Sequence, residues 1–355
     1  MGTDDGKILM GGMHLPSSVS DSRPIRIGIS ACLLGQKVRY DGGHKHDRYL
    51  SHTLGQYFEW LPVCPEVEMG LGTPRETMRL EQAEDGIRMV MPKSGRDLTR
   101  PMRDYAGRRV ERLALENLSG YILKSDSPSC GLLRVRVYGT SGMSSRTGRG
   151  LFAEALAARF PFLPIEEEGR LCDPRLRENW IERVFAYNRL QSLWAGRWTV
   201  RSLIAFHTAH KLVVMAHSPK ALADLGRLIA GAKEMSRVEL RQRYHEQFMR
   251  SLAILATRGR HANVLQHMAG FLKKQLDAEA RRELSDLIHD YRKGEVPLVV
   301  PLTLLKHYVR RLDIPYLAGQ VYLKISGTGA ITSKFVKANL SCLAQFRGYG
   351  ACPRN

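Results

Sequence analysis

The stretch Pro24-Ile25-Arg26-Ile27-Gly28-Ile29-Ser30-Ala31-Cys32 opens the ordered pattern of the chain. A short apolar run that breaks into small and polar residues reads as a buried strand ending in a loop. The same signature returns at Trp60–Cys64 (WLPVC) and at Gly120–Lys124 (GYILK), the latter running into Ser125–Cys130 (SDSPSC). Between and after these, Gly86–Met91, Leu132–Tyr138 and Phe162–Ile165 read as strands. Asp47–Gln56, Asp104–Leu118 and Gly150–Arg159 carry helical spacing. Alternating strands and helices predict an α/β domain over residues 24–172, an open, mostly parallel sheet covered by helices.

From Asp173 the texture changes. Glu178–Trp194, Val200–Ala216, Lys220–Gly231, Ser236–Thr257, Ala262–Leu276, Ala278–Lys293 and Pro301–Leu312 all show helical periodicity, with glycine and proline mainly between them. This predicts an all-α domain of about seven helices over residues 173–322. Residues 1–23, rich in Gly, Ser and Asp, read as a disordered tail without the apolar core of a secretion signal. Residues 323–355, Gly/Ser/Lys-rich and without period, read as a second disordered tail. The phosphate-loop pattern GxxxxGK[ST] is absent, and no GxGxxG follows a strand.

Composition narrows the class of function. The chain is 43% hydrophobic and 25% charged, ordinary for a globular protein, and no run of about 18 apolar residues predicts a membrane span. Lys and Arg number 54 against 35 Asp and Glu, a net charge of +19. Such an excess favours a polyanionic partner through counterion release from phosphates. It is concentrated in the helical half, where residues 177–313 hold 24 Lys and Arg against 13 Asp and Glu, a net of +11. There, Lys211, Arg241, Arg243, Lys273 and Lys274 read as phosphate contacts. Trp194, Trp198 and Tyr244 are candidates for base stacking, against the plainer reading of helix packing. His207, His210, His217 and His245 form at most a conceivable metal site, since three-apart histidines are more often core or surface polar residues.

Six cysteines, Cys32, Cys64, Cys130, Cys172, Cys342 and Cys352, occur without a secretion signal. A reducing cytoplasmic compartment and no disulfide framework are expected, leaving roles as ligands, nucleophiles or inert core thiols. Cys342 and Cys352 fall in the expected tail. Cys32, Cys64 and Cys130 each follow a predicted strand. The loops after the carboxyl ends of parallel strands line one crevice, so three thiols far apart in sequence converge there. Three inert buried thiols are the plain alternative. Three thiolates fall short of the four that hold an electron-transfer cluster, leaving one iron of a cubane open as a Lewis acid toward a substrate atom. A soft iron prefers sulfur. A three-cysteine zinc site remains an alternative, although paired CxxC spacings are absent.

The motifs Ile29-Ser30-Ala31-Cys32-Leu33-Leu34-Gly35, Val38-Arg39-Tyr40-Asp41-Gly42, Pro62-Val63-Cys64-Pro65-Glu66 and Leu123-Lys124-Ser125-x-Ser127-Pro128-Ser129-Cys130-Gly131 resemble the thiouracil desulfurase family, in the expected order, over roughly residues 24–170. The resemblance implies a [4Fe-4S] cluster held by Cys32, Cys64 and Cys130. It implies a catalytic carboxylate and serine at Glu66 and Ser127, with Asp41 and Lys124 as further candidates. The helical half, through Arg201–Lys211 and Gln242–Phe248, resembles a domain fused behind such desulfurases. Those fusions resemble a bacterial tRNA 4-thiouridine desulfidase.

The expected reaction is removal of sulfur from 4-thiouridine in tRNA to give uridine and sulfide, without net electron transfer, through a transient [4Fe-5S] state. Two other classes stay open. One is a desulfurase of free thiouracil whose helical domain only oligomerises. The other is a non-enzymatic iron–sulfur RNA-binding regulator.

Overall fold

The computed structural model describes residues 24–139 and 143–325. Both expected tails therefore lie outside the described residues, except that 323–325 belong to a short helix.

The α/β half contains eight strands: β1 (Ile25–Ser30), β2 (Phe58–Val63), β3 (Arg79–Ala83), β4 (Gly86–Val90), β5 (Gly120–Leu123), β6 (Val135–Tyr138), β7 (Ser144–Gly148) and β8 (Ile165–Glu167). Its helices are α1 (Pro65–Glu68), α2 (Thr99–Ala114) and α3 (Leu151–Arg159). The helical half holds α4 (Pro174–Ala195), α5 (Val200–His217), α6 (Pro219–Ala230), α7 (Arg237–Ala253), α8 (Arg258–Leu272), α9 (Ala278–Lys293) and α10 (Val299–Arg311). The short α11 (Pro315–Ala318) and α12 (Val321–Ile325) follow.

An α/β unit followed by an all-α unit is thus present, with the strands divided between two sheets. The first is parallel throughout, in the order β2-β1-β5-β8. The second, β4-β3-β6-β7, is mixed. Strands β3 and β7 had no clear apolar signal: β7 (SSRTG) is polar and largely exposed. The expected helix at 47–56 is present in a short, irregular form, a π-helical turn at Tyr49–Thr53 running into a 3-10 turn at Leu54–Gln56, with Leu50 and Leu54 buried four residues apart.

One face of β1 enters a hydrophobic core and the other meets the Tyr121 ring through a glycine. Ile27 and Ile29 are fully buried, and Gly28 lies against the Tyr121 ring, where a Cβ would sit 2.2 Å from a ring carbon. The layer over Ile27 and Ile29 is supplied by the helical half. Trp180 and Val184 of α4 pack with Ile27, Ile29, Phe58 and Ile122. The Trp180 indole N–H donates to the Pro164 carbonyl at 2.9 Å, and Asn188 donates to Ser119 at 3.1 Å. Helix α4 starts where the helical half was expected to start, with Asp173 capping it by accepting from the Arg175 and Leu176 N–H groups. One face of that helix nevertheless completes the first domain. No helix among the described residues is long and apolar enough to cross a membrane.

Candidate active site

Parallel pairing brings the carboxyl ends of β1, β2 and β5 to one edge. Ser30 is in register with Val63, and Ile29 with both Pro62 and Ile122. Cys32 follows in a tight turn at Ala31–Leu34 that ends on Gly35, at φ +88°. Lys45 N–H returns to the Cys32 carbonyl at 3.0 Å. Cys64 precedes α1, and its N–H donates to Glu68 at 3.2 Å. Cys130 closes a Ser/Pro loop after β5 in which the Gly131 N–H donates to the Ser127 carbonyl at 2.8 Å. That loop is pinned from β8: Glu167 Oε1 accepts from Leu132 and Leu133 N–H, and Glu168 accepts from Ser125 N–H and pairs with Lys124 at 2.5 Å.

All three thiols line one cavity of about 230 Å³, shared with Ser30, Arg39, Tyr40, Glu66, Arg75, Lys124, Asp126, Ser127 and Ser129. Cys32 and Cys130 are buried, while Cys64 is half-buried. Burial pushes the Cys32 thiol up to about 11 and raises Cys64 and Cys130 as well. Such thiols are poor free nucleophiles; a bound metal group would displace their protons. Among the described residues no three His, Cys, Asp or Glu side chains close on a single metal ion. Three thiols around a common cavity suit a group wider than one ion.

Glu66 stands in the cavity wall with both oxygens engaged. Oε1 accepts from the Ser129 hydroxyl at 2.7 Å. Oε2 meets the guanidinium of Arg75, whose side chain is only 3% exposed. Arg75 also donates to the carbonyls of Val38 and Gly72, each at 2.9 Å. Ser127 lies one step further back: its oxygen is 3.0 Å from Ser129 Oγ and accepts from Cys130 N–H at 3.1 Å.

The structure therefore gathers Cys32, Cys64, Cys130, Glu66, Ser127 and Lys124 in one cavity wall. It does not gather Asp41. That carboxylate accepts from Gly43 N–H two residues on, closing its own turn, and is 48% exposed beside Arg39. Sequence reading passed over Ser129 and Arg75. Ser129 was visible in the quoted motif, whereas nothing in the sequence ties Arg75 to Glu66.

The helical-half candidates divide. Arg241, Arg243, Lys273 and Lys274 are exposed, and Lys211 is half-buried. Arg243 pairs with Glu239 at 3.0 Å, and Arg241 lies over the Trp194 ring at 5.6 Å. Trp194 and Tyr244 are buried, so they are core residues and not free to stack bases. Trp198 is half-buried under Arg237. His207, His210 and His217 are buried in helix packing. The His210 Nδ1–H donates to the Phe206 carbonyl, and His217 pairs with Glu182 at 3.0 Å; among the described residues these histidines form no metal-binding group.

Comparison with known proteins divides the chain similarly. The 2-thiouracil desulfurase family matches residues 27–168. A family of unknown function, DUF1722, matches residues 211–326. The uncharacterized protein YbgA of Escherichia coli (strain K12) is 31% identical over 155 residues, 42% of this chain and 90% of YbgA. The uncharacterized protein YbbK of Bacillus subtilis (strain 168) is 30% identical over 133 residues, 36% of this chain and 87% of YbbK. A solved structure, the [4Fe-4S]-dependent thiouracil desulfidase TudS, is 33% identical, covering 42% of this chain and 93% of its own, with a TM-score of 0.34. The chain belongs to the 2-thiouracil desulfurase family through residues 27–168, with a DUF1722 unit behind that domain.

Proposed function

We propose that this chain is a desulfidase that converts 4-thiouridine in tRNA to uridine and sulfide through a [4Fe-4S] cluster held by Cys32, Cys64 and Cys130. The observation that carries this reading is the convergence of the three thiols on one cavity whose wall also holds the Glu66 carboxylate. When bound, the cluster supplies an iron with an open position, a Lewis acid for the thiocarbonyl sulfur.

The chain's own groups do the proton work. Arg75 and Ser129 fix the Glu66 carboxylate from two sides. Glu66 takes a proton from water, directly or through the Ser129 hydroxyl, as the oxygen adds to the ring carbon that carries sulfur. Ser127 holds Ser129 and the Cys130 N–H in place. Water and thiocarbonyl give carbonyl and hydrogen sulfide, so no electrons are exchanged with the surroundings. The tRNA part of the reading is supported by the net charge of +19 and by its concentration in the helical half.

The test is anaerobic reconstitution of the full chain with iron and sulfide, followed by incubation with thiolated tRNA and nucleoside analysis. Loss of 4-thiouridine with matching gain of uridine and sulfide is expected. Turnover of free 4-thiouracil with none of tRNA would move the substrate to the free base. Binding of tRNA without turnover of either would leave a regulator.

A further inference from the structure

The second sheet carries a cationic face that the sequence pattern did not single out. Between Asp126 and Glu154 the chain has four arginines, Arg134, Arg136, Arg146 and Arg149, and no acidic residue. Strands β6 and β7 pair antiparallel with Arg136 directly opposite Arg146. Like charges directly opposite each other on a sheet are destabilising. Here the repulsion is little relieved from within. Arg146 has one ion pair, to Asp126 at 3.1 Å, and both side chains are near half exposed. Among the described residues, neither Arg134 nor Arg136 has an ion-pair partner, and both are exposed.

Charge on an edge strand can simply block edge-to-edge pairing. That accounts for Arg146 on β7. It does not account for Arg136, because β6 lies inside the sheet between β3 and β7. Its neighbours Val135 and Val137 are buried, so Arg136 stands on the opposite, open face.

This ribbon is welded to the candidate active site. Asp126, the Arg146 partner, lines the cavity. Gly150 N–H donates to the Gly131 carbonyl at 2.7 Å, and Leu151 N–H to the Pro128 carbonyl at 3.1 Å. Gly150 packs so closely that a Cβ would lie 2.4 Å from the Ser129 carbonyl oxygen. A ligand gripped by the ribbon is therefore held in register with Cys130 and the serines. Unpaired arginines beside a cavity suit phosphates on either side of a nucleotide whose base enters it, since guanidinium groups bind phosphate in a planar fork.

We propose that the open face of the β6–β7 ribbon, through Arg136 and Arg146 and with the exposed Arg134 just before β6, grips the RNA phosphates that flank the thiolated nucleotide. The inference rests on the tRNA desulfidase reading and adds a second phosphate-binding surface, on the catalytic domain itself. Its division of labour is clear: the helical half supplies general affinity, and the ribbon supplies placement.

The test uses the full reconstituted chain and thiolated tRNA. Two double variants are compared with the wild type: Arg134→Asn with Arg136→Gln, and Arg134→Lys with Arg136→Lys. Affinity is measured against salt, together with kcat/KM on tRNA, and iron content reports an intact site. The neutral variant is expected to lose about 1.4–1.8 from the slope of log affinity against log salt, at about 0.7–0.9 per phosphate contact. Its kcat/KM on tRNA falls at least about tenfold, while the lysine variant keeps the slope. A wild type that neither binds nor desulfurates tRNA overturns the parent reading and this inference with it. A wild type that acts on tRNA, beside an iron-replete neutral variant of unchanged slope and kcat/KM, overturns the ribbon alone. A lysine variant that loses the slope as fully as the neutral one also overturns it, because positive charge would not be what the surface supplies.

Discussion

Glu66 shows how much of a residue's role is fixed by its neighbours. A carboxylate two residues after a cysteine is unremarkable until Ser129 and Arg75 hold its two oxygens in the cavity wall. Glu66→Gln and Ser129→Ala are expected to retain iron and lose turnover, the first by about 10²–10⁴-fold, the range of general-base catalysis. Iron-replete Glu66→Gln protein with wild-type turnover would remove Glu66 from the chemistry. For the cysteines the readout is the metal. Replacing Cys32, Cys64 or Cys130 by Ala should abolish the iron content and broad visible absorbance of reconstituted protein. Cys172→Ala should leave both, since Cys172 is exposed and outside the cavity wall. Full iron in Cys64→Ala would sink the three-ligand assignment.

Among the elements, α4 has the most consequential packing, because it closes the first sheet while belonging to the helical half. Trp180 is 1% exposed against β1 and β2 residues. Trp180→Ala should therefore cost about 3–5 kcal/mol, the range for truncating a buried aromatic, measured by denaturant unfolding. A fragment of residues 24–195 should be more stable than one of 24–170, which would leave Ile27, Ile29 and Phe58 uncovered.

The helical elements also carry a pH liability. Burial holds His207, His245 and His261 near neutrality of charge, down to about 4, and His210 down to about 3. Unfolded, each would titrate near 6.5, so the unfolded chain binds more protons below that value. Stability should accordingly fall as pH drops from about 6.5 toward about 4, as measured by unfolding midpoints. His217 runs the other way. Burial lowers it, but Glu182 outweighs burial and leaves it raised. Its contribution is full below 6.5 and is lost as pH rises through the raised value. A midpoint that stays flat between pH 7 and 4.5 would contradict the buried-neutral histidines.

On the scale of the whole molecule, the charge is distributed over both halves. The helical half holds the larger excess, and the ribbon beside the cavity adds its own cations. Reversing Arg241, Arg243, Lys273 and Lys274 to Glu should weaken tRNA binding and flatten its salt dependence by up to about 2.8–3.6, if all four contact phosphate. Arg243 already pairs with Glu239, so three contacts and a change of about 2.1–2.7 are expected. An unchanged slope, measured by binding at several salt concentrations, would assign the helical surface to another task.

The linear sequence determined the elements whose pattern is local: the apolar runs of β1, β2 and β5, the long helices after Asp173, and the placement of three cysteines just beyond strand ends. It also fixed the excess of positive charge. What it left undecided depends on pairing across the fold. Strand β7 is polar along its whole length, so only its ladder with β6 makes it a strand and sets Arg146 opposite Arg136. Arg75 reaches Glu66 through a loop whose N–H is tied to the Tyr40 carbonyl, a contact with no local signal. Trp194 and Tyr244 carry the composition of a stacking surface, and helix packing buries them instead. Periodicity reports which face of an element is apolar; which partner covers that face is decided only when distant segments close on one another.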